Sequence, residues 1–444
     1  MSFSYARYSS PPPFAREFAL TVLNSLRAAG HEAFWAGGCV RDELLGRLPA
    51  DYDVATSARP GDVQILFGRR HTHAVGVAFG VITVVGPKDA GQVEVTTFRT
   101  DGPYSDGRHP AGVAFSTAKD DAQRRDFTIN GLFLDPVSGE VHDYVGGRAD
   151  LAAGIVRAIG VPAMRFGEDH LRMLRAVRFT AGFGFALDPK TRQAIESMAH
   201  LIVSVSPERI AAELRTMMAR PGRQRALELL DETGLAGEVL REVALPEAFG
   251  TACRQQAWRE SARIIELLER PELAVALAIL AENAPKGSLQ QIVRRLRLSN
   301  YEMKTAGWLR EAIASLTVVD SLTADSVDAE AASEQLHQRP WSQVQPWLAH
   351  ESAFLLADAM RARAACGRGG LLSAVSAAWI SQQVARPQHQ LDPPPLVTGI
   401  DLLQMGVPAG RRIGTSLATL RAMQLDATIA TREEAIAWVE SQGA

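Results

Sequence analysis

The run from Phe34 to Asp53, FWAGGCVRDELLGRLPADYD, restricts what its region can fold into more than any other stretch of the chain. Phe34 and Trp35 read as the end of an apolar strand, and Gly37-Gly38 permit a turn that another group can approach closely. A short helix is predicted from Cys39, with Val40, Leu44 and Leu45 on its apolar face and Arg41, Asp42 and Glu43 mostly on the other, ending at Gly46. Asp51-Tyr52-Asp53, followed by Val54 and Ala55, reads as a second strand on which Asp51 and Asp53 share one face and Tyr52 takes the opposite one. Two adjacent carboxylates repel unless water or a cation separates them, and an oxygen-rich pair of this kind suits Mg²⁺. A glycine turn at a helix N-terminus offers backbone N–H groups and a helix dipole to a phosphate. Together the parts describe a nucleoside triphosphate lying over Gly37-Gly38, with metal on Asp51 and Asp53. Taken singly, a Gly-Gly pair is an ordinary turn and Asp-x-Asp a solvated edge, so their order and spacing carry the reading.

A chain of 444 residues exceeds what one core supports and implies about two to four domains. Its 46% hydrophobic and 22% charged residues are ordinary for a globular protein, and no run of about 18 apolar residues marks a membrane span. The N-terminal segment MSFSYARYSSPPPFAREF has no apolar block of the kind a secretion signal needs, so a cytoplasmic location is expected. Cys39, Cys253 and Cys366 are widely spaced, which fits a reducing compartment and supplies neither a disulfide framework nor a zinc spacing. The net charge of −3 does not announce a nucleic-acid binder, yet Met164 to Arg225 holds 11 Lys and Arg against 6 Asp and Glu. Arg294, Arg295, Arg297, Lys304 and Arg310 form a second basic cluster, while Asp320 to Glu334 is acidic. This distribution is compatible with a polyanion along the middle of the chain and equally with solvated helix faces.

In order, Phe14 to Ala29 is predicted as an amphipathic helix, Asp62 to Phe67 as a short helix, and His71 to Phe79 as an irregular connection. His71-x-His73 lacks a third ligand nearby and reads as surface. Gly80 to Val85 and Val93 to Phe98 form a hairpin pattern, with Glu94, Thr96 and Phe98 on one face. Glu94 is thus either a third carboxylate beside Asp51 and Asp53 or a solvent-facing strand residue. Arg99 to Phe115 has glycine, proline and charge but no apolar period, and is expected to be a mobile loop. In DAQRRDFTINGLF, Arg124 and Arg125 suit phosphate oxygens, Asp126 can brace an arginine, and the Asn130 amide suits a ribose hydroxyl. Arg165 to Phe179, RFGEDHLRMLRAVRF, is predicted as one helix with Leu171, Leu174 and Val177 on one side and Glu168, Asp169, Arg172 and Arg175 on the other. Ser206-Pro207 starts a further helix, and the pattern stays helical from Arg220 onward, with a proline-rich linker over Arg386 to Pro395.

The run G-G-x-x-R-D, then D-x-D about a dozen residues on, then R-R-D-F-T-x-N and E-D-x-x-R-x-x-R-A-x-R-F, resembles the tRNA CCA-adding and bacterial poly(A) polymerase branch of the polymerase-β-type nucleotidyltransferases. The resemblance extends from about Phe14 to the C-terminus, where VTGIDLLQMGVPAGRRIGTSLATLRAMQLD is similar to the family's tail, except that Arg411 stands where proline is common. It implies an α/β nucleotidyltransferase head (14–160, a mixed sheet with helices) followed by an all-α neck (161–225), body (226–310) and tail (311–444). It implies Mg²⁺ on Asp51 and Asp53, with Glu94 as a catalytic carboxylate, and triphosphate and sugar held by Gly37, Gly38, Arg41, Arg125 and Asn130. Asp169 and Arg172 would hydrogen-bond the Watson–Crick edge of the incoming base, within a nucleotide-binding run that includes Arg175 and Arg178. Cytosine and adenine both offer an amino group beside an acceptor ring nitrogen, so one carboxylate and one guanidinium can read either. Asp106 and Arg108 fall at the core of the family's flexible loop.

The activity implied is template-independent addition of C, C and A to tRNA from CTP and ATP, with release of pyrophosphate. Poly(A) synthesis shares these motifs, but the helix from Thr431 to Ala444, with one Arg against three Glu, carries no basic extension, which favours CCA addition. An enzyme adding only the terminal A and a silent RNA-binding relative are the other readings, and intact Asp51 and Asp53 argue against the last.

Overall fold

The computed structural model describes residues 12–76, 79–102, 112–243, 250–317, 333–334, 336–368 and 370–442. The chain divides into two compact units, 1–241 and 242–444. The first begins with α1 (Ala15–Ala28), which buries Ala19, Val22, Leu23 and Leu26 at the three- and four-residue spacing of a single helical face. A sheet of seven strands follows: β1 (Ala33–Ala36), β2 (Asp53–Thr56), β3 (Thr72–Gly76), β4 (Val81–Val85), β5 (Gln92–Thr97), β8 (Leu132–Leu134) and β9 (Val141–Asp143). Their order is β3-β4-β5-β2-β1-β8-β9, with β2 and β5 parallel and the other neighbours antiparallel. Around them lie α2 (Gly38–Leu44), α3 (Pro60–Phe67), α4 (Ala118–Arg124) and α5 (Gly147–Ala153). The aromatic pair ending β1 is embedded, with Trp35 against Tyr52 at 4.7 Å and Phe34 stacked near Phe98 at 6.3 Å.

The expected hairpin is β4 and β5. Two other expectations change. Within the connection expected to be irregular, Thr72 to Gly76 is a strand that pairs with β4 as the edge of the sheet. The segment Arg99 to Phe115 is anchored by β6 (Arg99–Asp101) and β7 (Val113–Phe115), an antiparallel pair, while Asp106 and Arg108 lie outside the described residues.

Beyond the sheet, β10 (Ile155–Val156) and β11 (Ala186–Leu187) pair in parallel around α6 (Pro162–Glu168) and α7 (Leu171–Phe183). Next come α8 (Pro189–Met198), α9 (Pro207–Met218), α10 (Arg223–Glu232) and α11 (Leu235–Val239). The single helix expected over Arg165 to Phe179 is two, broken at Asp169, whose φ of −150° and ψ of 104° are extended values. Every regular element among the described residues of the second unit is a helix. At its centre Leu273–Leu280 buries all eight residues, as a helix apolar on every side must. Nearer the C-terminus Val397, Leu402, Val407, Leu420, Ile429, Ala435 and Val439 form a separate small core. The supposed linker holds a helical turn, Gln388–Leu391, and Asp392 accepts from Gln345 and Arg421. The limits expected at 225/226 and 310/311 fall inside helices Arg223–Glu232 and Asn300–Leu316, so any division there moves to the neighbouring turns. Among the described residues no helix is long and apolar enough to cross a membrane.

Candidate active site

The first unit carries a cleft of about 1210 Å³. One wall is the edge formed by β1, β2, β5 and α2; the other is α7, with the residues that precede it and Arg209 of α9. The turn out of β1 is made by Gly37, whose φ of +74° suits glycine alone; a Cβ there would also sit 2.7 Å from Nη1 of Arg125. Gly38 opens α2, whose first-turn N–H groups have no partner within the helix. The face assignment of α2 reverses in part: Leu44 is exposed, whereas Arg41 is 8% exposed. The Arg41 guanidinium lies 4.6 Å from the Phe183 ring, donates through Nη1 to Oδ1 of Asn130 at 2.7 Å and pairs with Asp42 at 2.8 Å, so its stem and charge are accommodated by aromatic faces, an amide and a carboxylate.

Asp53 opens β2 and stands in register with Glu94 on the parallel strand β5, which puts the two carboxylates side by side. Asp51 is not on the strand as expected but on the bend before it, and it lines the same cleft. Tyr52 turns the other way, its hydroxyl donating to Glu43 at 3.0 Å. Burial, followed by the charges of Asp51 and Glu94, pushes the Asp53 carboxyl up to about 7, against the pull of Arg125. Among the described residues no three carboxylate, histidine or cysteine side chains converge into a ready metal cage. Mg²⁺ does not need one, since it commonly binds through one or two carboxylates, waters and substrate phosphates. The carboxylates present fit such an ion.

Opposite them, Asp121 is fully buried and holds both arginines of the R-R pair: Arg124 Nη2 at 2.7 Å from Oδ1, and Arg125 Nε and Nη2 at 3.1 and 2.9 Å from Oδ2. Arg125 also lies 5.0 Å from the Phe133 ring. Asn130 has its amide oriented from both sides, accepting from Arg41 and donating to Asp126 at 3.0 Å. Asp126 braces Arg175, at 2.6 Å, and although burial opposes its ionisation, Arg175 and Asn130 hold its carboxyl down at about 2. Arg175 and Arg178 share Glu213, at 4.0 and 2.6 Å.

Asp169 and Arg172 both line the cleft, and the Arg172 N–H donates to the Asp169 carbonyl at 3.0 Å, but their side chains do not bond each other. Arg209 forks onto Asp169, and Arg172 pairs with Glu168 and with the carbonyl of Arg165 at 2.9 Å. Sequence reasoning missed Asp121, Arg209 and Glu213. Asp121 stands three and four residues before Arg124 and Arg125, a signal that was available; the partners of Arg209 and Glu213 are 40 and 35 residues away, and no local pattern marks them.

Residues 33–157 match a family model described as the poly A polymerase head domain, and 184–245 match a probable RNA and SrmB-binding site of polymerase A. The CCA-adding enzyme of Geobacillus stearothermophilus is 45% identical over 225 residues, 50% of this chain and 54% of the relative, so the chain spans about half the length of that protein. The CCA-adding enzyme of Lactobacillus gasseri is 32% identical over 94% of this chain and 95% of its own. A crystal structure of the Bacillus stearothermophilus CCA-adding enzyme in complex with CTP is similar over 97% of this chain and 98% of that one, with 29% identity and a TM-score of 0.71. The Thermotoga maritima CCA-adding enzyme complexed with tRNA shares the fold at 19% identity, with a TM-score of 0.63. With nearly the whole chain aligned at that identity and the motif residues gathered around one cleft, this protein belongs to the family of the CCA-adding enzymes.

Proposed function

We propose that this chain adds C, C and A to the 3′ end of tRNA from CTP and ATP, releasing pyrophosphate. The observation that carries the reading is that Asp51, Asp53 and Glu94 occupy the same cleft as Asp169 and Arg172, so reacting phosphate and selected base belong to one bound nucleotide. The names of the full-length relative and of the CTP complex agree with it.

In this proposal Asp51 and Asp53, with Glu94 alongside, hold Mg²⁺. When bound, such ions offset triphosphate charge and favour ionisation of the attacking 3′-hydroxyl. Arg125, fixed by Asp121, grips the triphosphate, and Gly37 lets it come close to the backbone. Asn130 meets the sugar from an orientation set by Arg41 and Asp126. Arg175 and Arg178 supply further positive charge from α7 along the nucleotide-binding wall, and Asp106 and Arg108 belong to the loop that adapts the site between CTP and ATP. Residues 14–160 act as the catalytic head, 161–225 select the base, and the helices beyond bind tRNA, in the cytoplasm.

The test incubates the purified protein and Mg²⁺ with tRNAs lacking CCA or only the final A, supplies CTP and ATP singly and together, and sequences the 3′ ends. Extension that stops at CCA is the expected result. Long A tails would make it a poly(A) polymerase, to which the name of the matching head model also points. Addition of A alone would make it an A-adding enzyme, and no extension under any condition would leave an RNA-binding role.

A further inference from the structure

A carboxylate has two oxygens with about four lone-pair positions between them. On Asp169 three are accounted for. Oδ1 accepts from the Leu171 N–H at 3.1 Å and from Nη1 of Arg209 at 3.2 Å; Oδ2 accepts from Nη2 of Arg209 at 2.7 Å. The guanidinium thus grips the carboxylate through two parallel bonds, which fix the plane of the group. Among the described residues nothing else donates to Oδ2. Both side chains are largely shielded, at 16% and 27% exposure, and both line the cleft.

We infer that Arg209 is a specificity-determining positioning residue: its fork on Asp169 restricts that carboxylate to one acceptor position, on Oδ2, for an amino N–H of the incoming base. The inference rests on the reading of Asp169 as a base-contacting group. Cytosine and adenine bring an exocyclic amino group to that position. Uracil and guanine bring a carbonyl, and a carboxylate paired with a guanidinium has no proton to offer it, so lone pair meets lone pair. Once the fork is removed, the carboxylate is free to turn about its side-chain torsions, and the rejection of a carbonyl weakens. The guanidinium is also delivered from outside the reading element: Arg209 sits in the first turn of α9, while Asp169 marks the break between α6 and α7. Ser206, at the start of α9, makes no side-chain capping bond, so this helix end is tied to the recognition element by Arg209 rather than by its own cap.

The same ion pair would exist if Arg209 merely tied α9 to the break, and nucleotide selectivity separates the two roles. The full chain, Mg²⁺ and a tRNA lacking its last nucleotides are assayed with CTP, ATP, UTP and GTP in turn, and kcat/KM is compared. Arg209→Gln is expected to lower the CTP-over-UTP and ATP-over-GTP preferences about tenfold or more. Arg209→Lys, which keeps the charge but not the two-pronged geometry, is expected to fall between. An equal loss for all four nucleotides with unchanged ratios would overturn the inference. Should Arg209→Gln fail to fold, Arg209→Lys decides alone: a reduced preference supports the inference and an unchanged one overturns it. Asp169→Asn is run in parallel. If it leaves the preferences intact, the base-reading role of Asp169 fails and this inference with it; if it abolishes them while both Arg209 variants retain them, only the inference about Arg209 fails.

Discussion

The two walls of the cleft treat charge in opposite ways. On the sheet side, Asp51, Asp53 and Glu94 crowd together, and among the described residues none of them forms an ion pair with a basic side chain. On the helical side every named charge has a counterpart: Asp126 with Arg175, Glu213 with Arg178, Glu168 with Arg172, Asp169 with Arg209. An unbalanced group of carboxylates is stabilised by what binds to it, whereas a balanced network is already in its working geometry and recognises by exchanging or adding single bonds. The sheet wall should therefore be less stable than its composition allows and indispensable to chemistry, and the helical wall should be the reverse.

The largest effect expected is at Asp53. Asp53→Ala should reduce nucleotide incorporation by roughly a thousandfold or more, corresponding to the several kcal/mol a bound metal supplies, while the melting temperature is unchanged or raised. A simultaneous collapse of melting temperature and activity would erase the contrast. Next is Asp126→Ala, which leaves Arg175 only the more distant Glu213 and should cost about 3 kcal/mol in urea unfolding, the lower end for a broken buried pair because Arg175 also keeps a third of its surface exposed. Its pH signature follows from a folded value near 2, below the ordinary 3.8: the stabilisation is complete above about pH 3.8 and is lost as pH falls through 2.

Asp53 should give the opposite slope. Its folded value near 7 exceeds 3.8, so its contribution to stability is greatest below about pH 3.8 and declines as pH rises to 7. In chelator, wild type should lose roughly 4 kcal/mol relative to Asp53→Asn over that window, and millimolar Mg²⁺ should remove the difference. Parallel pH curves for the two proteins would show that the carboxylates do not crowd in solution. The smallest expected effect is Arg172→Ala, which should lower discrimination against UTP and GTP about tenfold while altering stability by under about 1 kcal/mol. Unchanged selectivity would move base reading away from the helical wall.

These contrasts also explain what the sequence could disclose. The sheet wall was legible because its elements are local: Gly37 is forced by its φ, the hairpin of β4 and β5 by its turn, and the Glu94 face by alternation. The helical wall was legible only as a list of arginines. Apart from Glu168 and Arg172, one helical turn apart, which carboxylate serves which arginine depends on contacts across 35 to 49 residues, as with Arg178 and Glu213 or Arg175 and Asp126. The apolar residues that carried the helix reading, Leu171, Leu174 and Val177, all lie past Asp169, so their spacing said nothing about the break. Arg41 misled for a related reason: a guanidinium counts as polar in any pattern, yet its planar face packs on Phe183 as readily as an apolar side chain does.

The parallel pairing of β2 and β5 sets the timetable of the protein's own assembly. Asp53 and Glu94 become neighbours only after α3, β3 and β4 have carried the chain around to lay β5 alongside β2, and a parallel pair cannot be closed by a tight turn. Contacts of such long sequence separation form late in folding, because loop entropy must be spent before they repay it. A chain emerging from the ribosome or refolding from denaturant thus has no complete carboxylate group until β5 is laid against β2, and the return of catalysis cannot precede that pairing.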